Sequence, residues 1–186
     1  MKLVTYRASI EDAARLGVIW GDLVVDVAAL GDAYGDDLPD NMLGLIDAGR
    51  PGLNALQACL DEADGDFPIH TATALANVRL LAPIPRPKKN IFGIGLNYLD
   101  HVIESAKALD TNKDLPKQPV IFSKPPTSVI GPDEPILHNA KITKQLDWEV
   151  ELAVIIGTRA TRVARENALK HVFGYSVMID VSARDN

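Results

Sequence analysis

The chain has 186 residues, 47% of them hydrophobic, which is enough for one full domain or a small one with part of a larger one. Its 19 Lys and Arg residues against 25 Asp and Glu give a net charge of -6, and the basic residues are scattered, which excludes a nucleic-acid surface. A single cysteine, Cys59, excludes an intrachain disulfide and a cysteine-rich zinc site, and reads as a small buried apolar side chain. No apolar run approaches the roughly 18 residues of a membrane span, and the first residues alternate as a strand, so no membrane partner and a cytoplasmic location are expected.

In chain order, Lys2 to Arg7, Leu16 to Trp20 and Leu23 to Val27 are short apolar or alternating runs, and Gly21-Asp22 is a hairpin signal. They predict a small antiparallel sheet. Asn41 to Ala48 and Pro51 to Ala63 read as two helices, since Pro51 suits a first helical turn and Leu53, Leu56 and Leu60 recur at helical spacing. Val78 to Leu81 is a further strand. Pro83, Pro85 and Pro87 then deny backbone donors and favour extended chain. The expected organisation is a small N-terminal α+β domain over residues 1–82, a proline-rich linker over 83–89, and a second domain over 90–186.

Within that second part, Asn90 to Ile94 and Val120 to Ser123 read as strands and Tyr98 to Leu109 as a helix, with Asp110 to Gln118 a polar loop. Trp148 to Ile156 and Phe173 to Val181 are the strongest strands, and Arg165 to His171 is a helix between them.

Glu149 and Glu151 sit two apart in the first of these strands, so they share one face, about 7 Å apart at their Cα atoms. The uniformly apolar run Ala153-Val154-Ile155-Ile156 suggests a strand buried on both sides, with its acids in a cavity. Like charges in such a place call for protonation or a cation. Carboxylates without Cys or His favour Mg²⁺ or Mn²⁺, with Ca²⁺ a further candidate. An ordinary solvated edge strand is the alternative. Asp180 ends another apolar strand, and either joins the same cation site or pairs with Arg184.

In the strand–glycine turn–helix segment from Ile91, His101 and Glu104 are three apart and meet on one helix face. That suits a general base oriented by a carboxylate, or a plain surface ion pair. Gly93 and Gly95 lack a third glycine in register and a following Lys-Ser or Lys-Thr, which excludes a nucleotide loop. Lys124, at a strand end before Pro125-Pro126, either meets a substrate carboxylate or is simply solvated.

Gly95-Leu96-Asn97-Tyr98 with His101 and Glu104, the Lys124-Pro125 to Gly131-Pro132 turn, Asp147 to Gly157, and Gly174 to Asp185 occur in one order. In that order they resemble the fumarylacetoacetate hydrolase family, in its bacterial form with a small extra N-terminal domain. The resemblance implies an α+β fold, a mixed β-roll preceded by a small α/β N-terminal domain. It implies that Glu149, Glu151 and Asp180 bind Mg²⁺ or Mn²⁺, that Lys124 and Arg184 hold substrate oxygens, and that His101 and Glu104 activate water.

The implied chemistry is that of a metal-dependent hydrolase or lyase, of a kind serving aromatic-compound catabolism. It would act on C–C bonds of 2-oxo acids or acylpyruvate-like 1,3-dicarbonyl compounds through a metal-stabilised enolate. A decarboxylase, hydratase or isomerase is the alternative within the family, and a non-catalytic remnant with a structural cation the alternative outside it. A homodimer is the family expectation.

Two departures accompany the resemblance. Ile179 stands where the family usually has Asn, which predicts the loss of a hydrogen bond behind the metal-binding Asp. Family members also continue into strands that complete the roll, so the β-roll is expected to be incomplete at its C-terminus and the chain to be a fragment, a truncated gene product or half of a split protein.

Overall fold

The alternating run Lys2–Arg7 forms β1, and Arg15–Trp20 (β2) and Leu23–Asp26 (β3) follow as a hairpin that turns at Gly21, whose φ is +56°. In the computed structural model, which describes residues 1–100, 102, 103 and 116–185, these strands lie in a five-stranded antiparallel sheet. Ala72–Ala74 (β4) and Arg79–Leu80 (β5) complete it in the order β4-β3-β2-β1-β5.

Helix α1, Val27–Tyr34, starts where the Asp26 side chain accepts the Ala29 N–H at 2.8 Å and stops at Gly35 in the left-handed region. Helix α2, Met42–Ala63, is capped by Asn41 and bends sharply at Gly49, where φ 60° and ψ -141° interrupt the helix ahead of Pro51. The two helical runs expected from the sequence are therefore present, joined across that kink. Leu16, Val18, Val25, Leu30, Leu45, Leu56 and Leu60 fill the core between sheet and helices. Cys59 belongs to the same cluster at 2% exposure. Burial, and then its hydrogen bond to Asp36, push its thiol up to about 11, so it carries no thiolate chemistry near neutral pH.

One position in this sheet tolerates no side chain. A Cβ on Gly17 would stand 2.5 Å from Val24 Cγ1 and 3.0 Å from the Tyr6 ring, inside the core. Gly17→Val should therefore destabilise the fold by about 1–3 kcal/mol through overpacking. Urea unfolding followed by circular dichroism would show this as a lower midpoint with unchanged slope.

The chain divides into two compact units, Met1–Ile84 with Gly131–Asn186, and Pro85–Ile130. The second unit contains the antiparallel pair Ile91–Gly95 (β6) and Val120–Lys124 (β7), in which Gly93 lies opposite Phe122. Leu99, Asp100, Val102 and Ile103 are helical, at the start of the helix expected from Tyr98.

The first unit contains, besides the five-stranded sheet, a long two-stranded ribbon of Leu146–Ile156 (β8) and Val172–Ala183 (β9). The link before β9, Arg165–His171, is a 3₁₀ helix where an ordinary helix was expected. Ile155 and Phe173 pack against the N-terminal core, so one end of the ribbon leans on it.

The expectation that β8 is buried on both sides is not met. Its even-numbered side chains face solvent with those of β9 opposite them, Trp148 at 66% exposure and Val177 at 74%. The apolar run is divided by strand alternation, with Ile155 turned to the core and Val154 and Ile156 turned outward.

Candidate metal and substrate site

Eleven and twelve residues of nearly unbroken pairing fix which side chains of the ribbon share a face. Glu149 lies directly opposite Asp180, Glu151 opposite Met178, and Asp147 opposite Ser182. Directly opposed residues in an antiparallel pair point the same way, with Cβ atoms about 4.5–5.5 Å apart. Glu149, Glu151 and Asp180 therefore project from one face, as the spacing of the two glutamates predicts. Asp180 is buried at 6% exposure, while Glu149 and Glu151 are half-buried.

Ile179 belongs to the other face, opposite Val150 and exposed. A polar side chain at that position would not stand beside these carboxylates within the ribbon, which removes the ground for expecting a lost hydrogen bond there.

Arg184 follows β9 directly. Its Nη2 lies 2.7 Å from Glu149 Oε1 and 2.9 Å from Asp147 Oδ2, and its Nε donates to the same Asp147 oxygen at 3.0 Å. Hydrogen bonds to Glu149 first, and then to Asp147, push the already high pKa of this guanidinium up further. From sequence alone Asp180 suits either a cation site or an ion pair with Arg184; in the structure Glu149 and Asp147 both hold that arginine. Asp147 has no part in the metal set that the resemblance implies. Its position two residues before Glu149 is the signal that places it on this face.

The main chain under Arg184 is pinned to the start of β8. The Arg184 N–H donates to Gln145 O at 2.9 Å, and the Asp185 carboxylate accepts the Lys144 N–H at 2.9 Å and the buried Thr143 hydroxyl. These bonds, that of the Lys144 amide first, hold the Asp185 carboxyl below the usual range.

Lys124 ends β7 in the other unit and is half-buried. His101 and Glu104 lie outside the described residues.

Of the four carboxylates on this face, Glu149, Glu151 and Asp180 form an all-oxygen set that fits a hard divalent cation in donor chemistry, while Asp147 holds Arg184. As the side chains stand, no three Asp, Glu, His or Cys among the described residues are gathered closely enough to hold one. Glu149 is instead turned to the Arg184 guanidinium. The donor set fits, and a cation held there would share Glu149 with the Arg184 guanidinium.

The chain is similar to known proteins over its whole length. The family model for fumarylacetoacetate (FAA) hydrolase, C-terminal, matches residues 90–186. Oxaloacetate tautomerase YisK of Bacillus subtilis is 46% identical over 112 residues, covering 60% of this chain and 36% of that protein. Mitochondrial oxaloacetate tautomerase fahd2 of Xenopus laevis is 36% identical over 187 residues, covering 100% of this chain and 53% of its own length. The chain thus spans about half, or less, of the length of these two relatives.

Among solved structures, maleylpyruvate hydrolase from Sphingobium sp. SYK-6, in complex with manganese(II) ion and pyruvate, is 30% identical with a TM-score of 0.71. That match covers 100% of this chain and 60% of the other. The mixed α+β fold is the one these proteins share, and the chain belongs to the fumarylacetoacetate hydrolase family.

Proposed function

We propose that the protein is a divalent-metal-dependent enzyme that interconverts the keto and enol forms of oxaloacetate or a closely related 2-oxo acid. The observation that carries this reading is the register that sets Glu149 opposite Asp180 with Glu151 on the same face. The names of two relatives, both oxaloacetate tautomerases, support the choice of reaction.

A bound Mg²⁺ or Mn²⁺ would supply electrostatic stabilisation of the negative charge that gathers on the 2-oxo oxygen as the enolate forms. Glu149, Glu151 and Asp180 are its proposed holders. The roles of the remaining residues follow the family resemblance. Arg184 and Lys124 offer positive charge to substrate carboxylate oxygens. His101 with Glu104, the pair that the resemblance casts as activating water, would here take a proton from the carbon next to the carbonyl and return it to oxygen, or the reverse. Only the C–H and O–H bonds exchange while the double bond shifts from C=O to C=C; no carbon–carbon bond is cleaved and no water is consumed.

A second reading is hydrolysis of an acylpyruvate, favoured by the likeness to maleylpyruvate hydrolase. There His101 would direct water at the distal carbonyl, the bond between that carbon and the pyruvate C3 would break, and pyruvate would leave as its enolate while the acyl part left as a carboxylic acid. Two assays on one Mn²⁺-loaded preparation separate the readings. Faster loss of enol-oxaloacetate absorbance, with no pyruvate released from acylpyruvates, is the expected result. Pyruvate release without tautomerisation would favour the hydrolase, and neither activity would favour a non-catalytic remnant. The proposed assembly is a homodimer, which sedimentation equilibrium would test.

A further inference from the structure

The carboxylate face already carries a cation of its own, and this bears on how a metal ion would reach it. Arg184 spans two acids, Glu149 at 2.7 Å and Asp147 at 2.9 Å, and only Glu149 belongs to the proposed metal set. The arginine's place does not depend on Glu149, because the Arg184 N–H bond to Gln145 O and the bonds that the Asp185 carboxylate accepts from Thr143 and Lys144 fix the chain beneath it.

The guanidinium fork turns its Nε and Nη2 to Asp147 while Nη2 also reaches Glu149. Release from Glu149 therefore leaves the arginine with both contacts to Asp147. A Glu149 oxygen that accepts from a guanidinium at 2.7 Å gives less of its charge to a hard cation, and the guanidinium sets a like charge beside any ion held there.

We propose that Arg184 is an internal counter-cation that competes with the divalent ion for Glu149, and that Asp147 is the carboxylate that retains Arg184 when the ion displaces it. This rests on the metal reading above and deepens it. Metal and substrate binding then become ordered. With an ion held by the carboxylates, Glu149 would loosen from Arg184, and the guanidinium edge so freed would meet the anionic oxygen of a 2-oxo acid. Substrate binding before metal would face a guanidinium still shared between two carboxylates. The pair is partly solvated, with side-chain exposures of 38% for Arg184 and 28% for Glu149, so the competition is modest.

Calorimetric titration of Mn²⁺ into the wild-type chain and four variants tests this without any activity measurement. Arg184→Met should tighten Mn²⁺ binding about three- to tenfold, from a released partner and a lost like charge. Arg184→Lys keeps the charge but not the two-carboxylate fork, and should tighten it by part of that factor. Asp147→Asn should weaken binding in the wild-type background, because Arg184 then leans on Glu149 alone. In the Arg184→Met background the same change should have a clearly smaller effect.

Equal affinities for wild type and Arg184→Met would overturn the proposal, as would Arg184 and Asp147 effects that simply multiply to within about twofold. Should neither wild type nor Arg184→Met take up Mn²⁺, the metal reading itself falls, and this inference with it. Circular dichroism on each variant checks that the backbone bonds at Gln145 and Lys144 have kept the fold.

Discussion

Asp180→Asn and Glu151→Gln should each lower turnover of the 2-oxo acid on the order of 10²- to 10⁴-fold, the range expected when electrostatic stabilisation of a developing oxyanion is lost. Both substitutions keep size and hydrogen-bonding capacity while removing the charge that a hard cation requires. Asp180→Asn is the sharper of the two, because Asp180 is buried at 6% exposure, where charge interactions are least screened by water. Steady-state assays at saturating Mn²⁺ and at a hundredfold excess would separate lost affinity from lost chemistry. Recovery at high metal would place the defect in binding, whereas wild-type turnover under both conditions would remove these residues from the machinery.

A second large effect is expected far from this face, at Asp26. Its carboxylate is 5% exposed and accepts four hydrogen bonds: the Tyr6 hydroxyl at 2.7 Å, the Ala29 amide at 2.8 Å, Arg15 Nη2 at 2.8 Å, and Arg15 Nε. Burial alone would push this carboxyl up. The Arg15, Ala29 and Tyr6 hydrogen bonds, with the Arg15 charge, outweigh that and hold it below the usual carboxylate range. Burial first, and then the Asp26 hydrogen bond, push the Tyr6 phenol up, so it stays protonated as the donor.

Asp26→Ala removes a helix cap worth about 1 kcal/mol and leaves the buried Tyr6 hydroxyl without its acceptor, at a further cost of about 1–3 kcal/mol. The expected loss is about 2–4 kcal/mol, read as a lower urea midpoint for the first unit. The pH dependence has a definite sign. The folded carboxyl titrates below its unfolded value of ~3.9, so its stabilisation is full above that pH and is lost as the pH falls through the folded value. Asp26→Asn, which keeps the cap, should lose this component and flatten the stability profile below about pH 4. A profile as steep as that of the wild type would assign the acid sensitivity to other groups.

The N-terminal sheet was legible because its signals are local. The Gly21-Asp22 turn and the alternation of Lys2 to Arg7 are read within a few residues, and the structure places both as expected. Helix α1 was not seen, although Asp26 and Gly35 bracket it with a cap at each end. The strand reading ran through Val27 into what is the first turn, and Gly31 lowers the helical propensity of an eight-residue segment. That glycine is there for packing, since a Cβ would stand 2.6 Å from Asp36 O.

On the ribbon, the glutamate pair and its common face were legible from period-two spacing, because alternation is a property of the strand alone. The burial of the two faces was not, because an apolar run does not say whether a second layer covers it. The role of Asp147 was hidden for another reason. Its partner Arg184 lies 37 residues away, and only the pairing of β8 with β9 brings them together.

The most direct test of the account is Mn²⁺ titration of the wild-type chain beside Asp180→Asn, read by calorimetry and by the electron paramagnetic resonance signal of free Mn²⁺. A carboxylate-held divalent site predicts uptake of one ion per chain, lost or weakened at least tenfold by the substitution. No uptake by the wild type, or equal uptake by both, would contradict it.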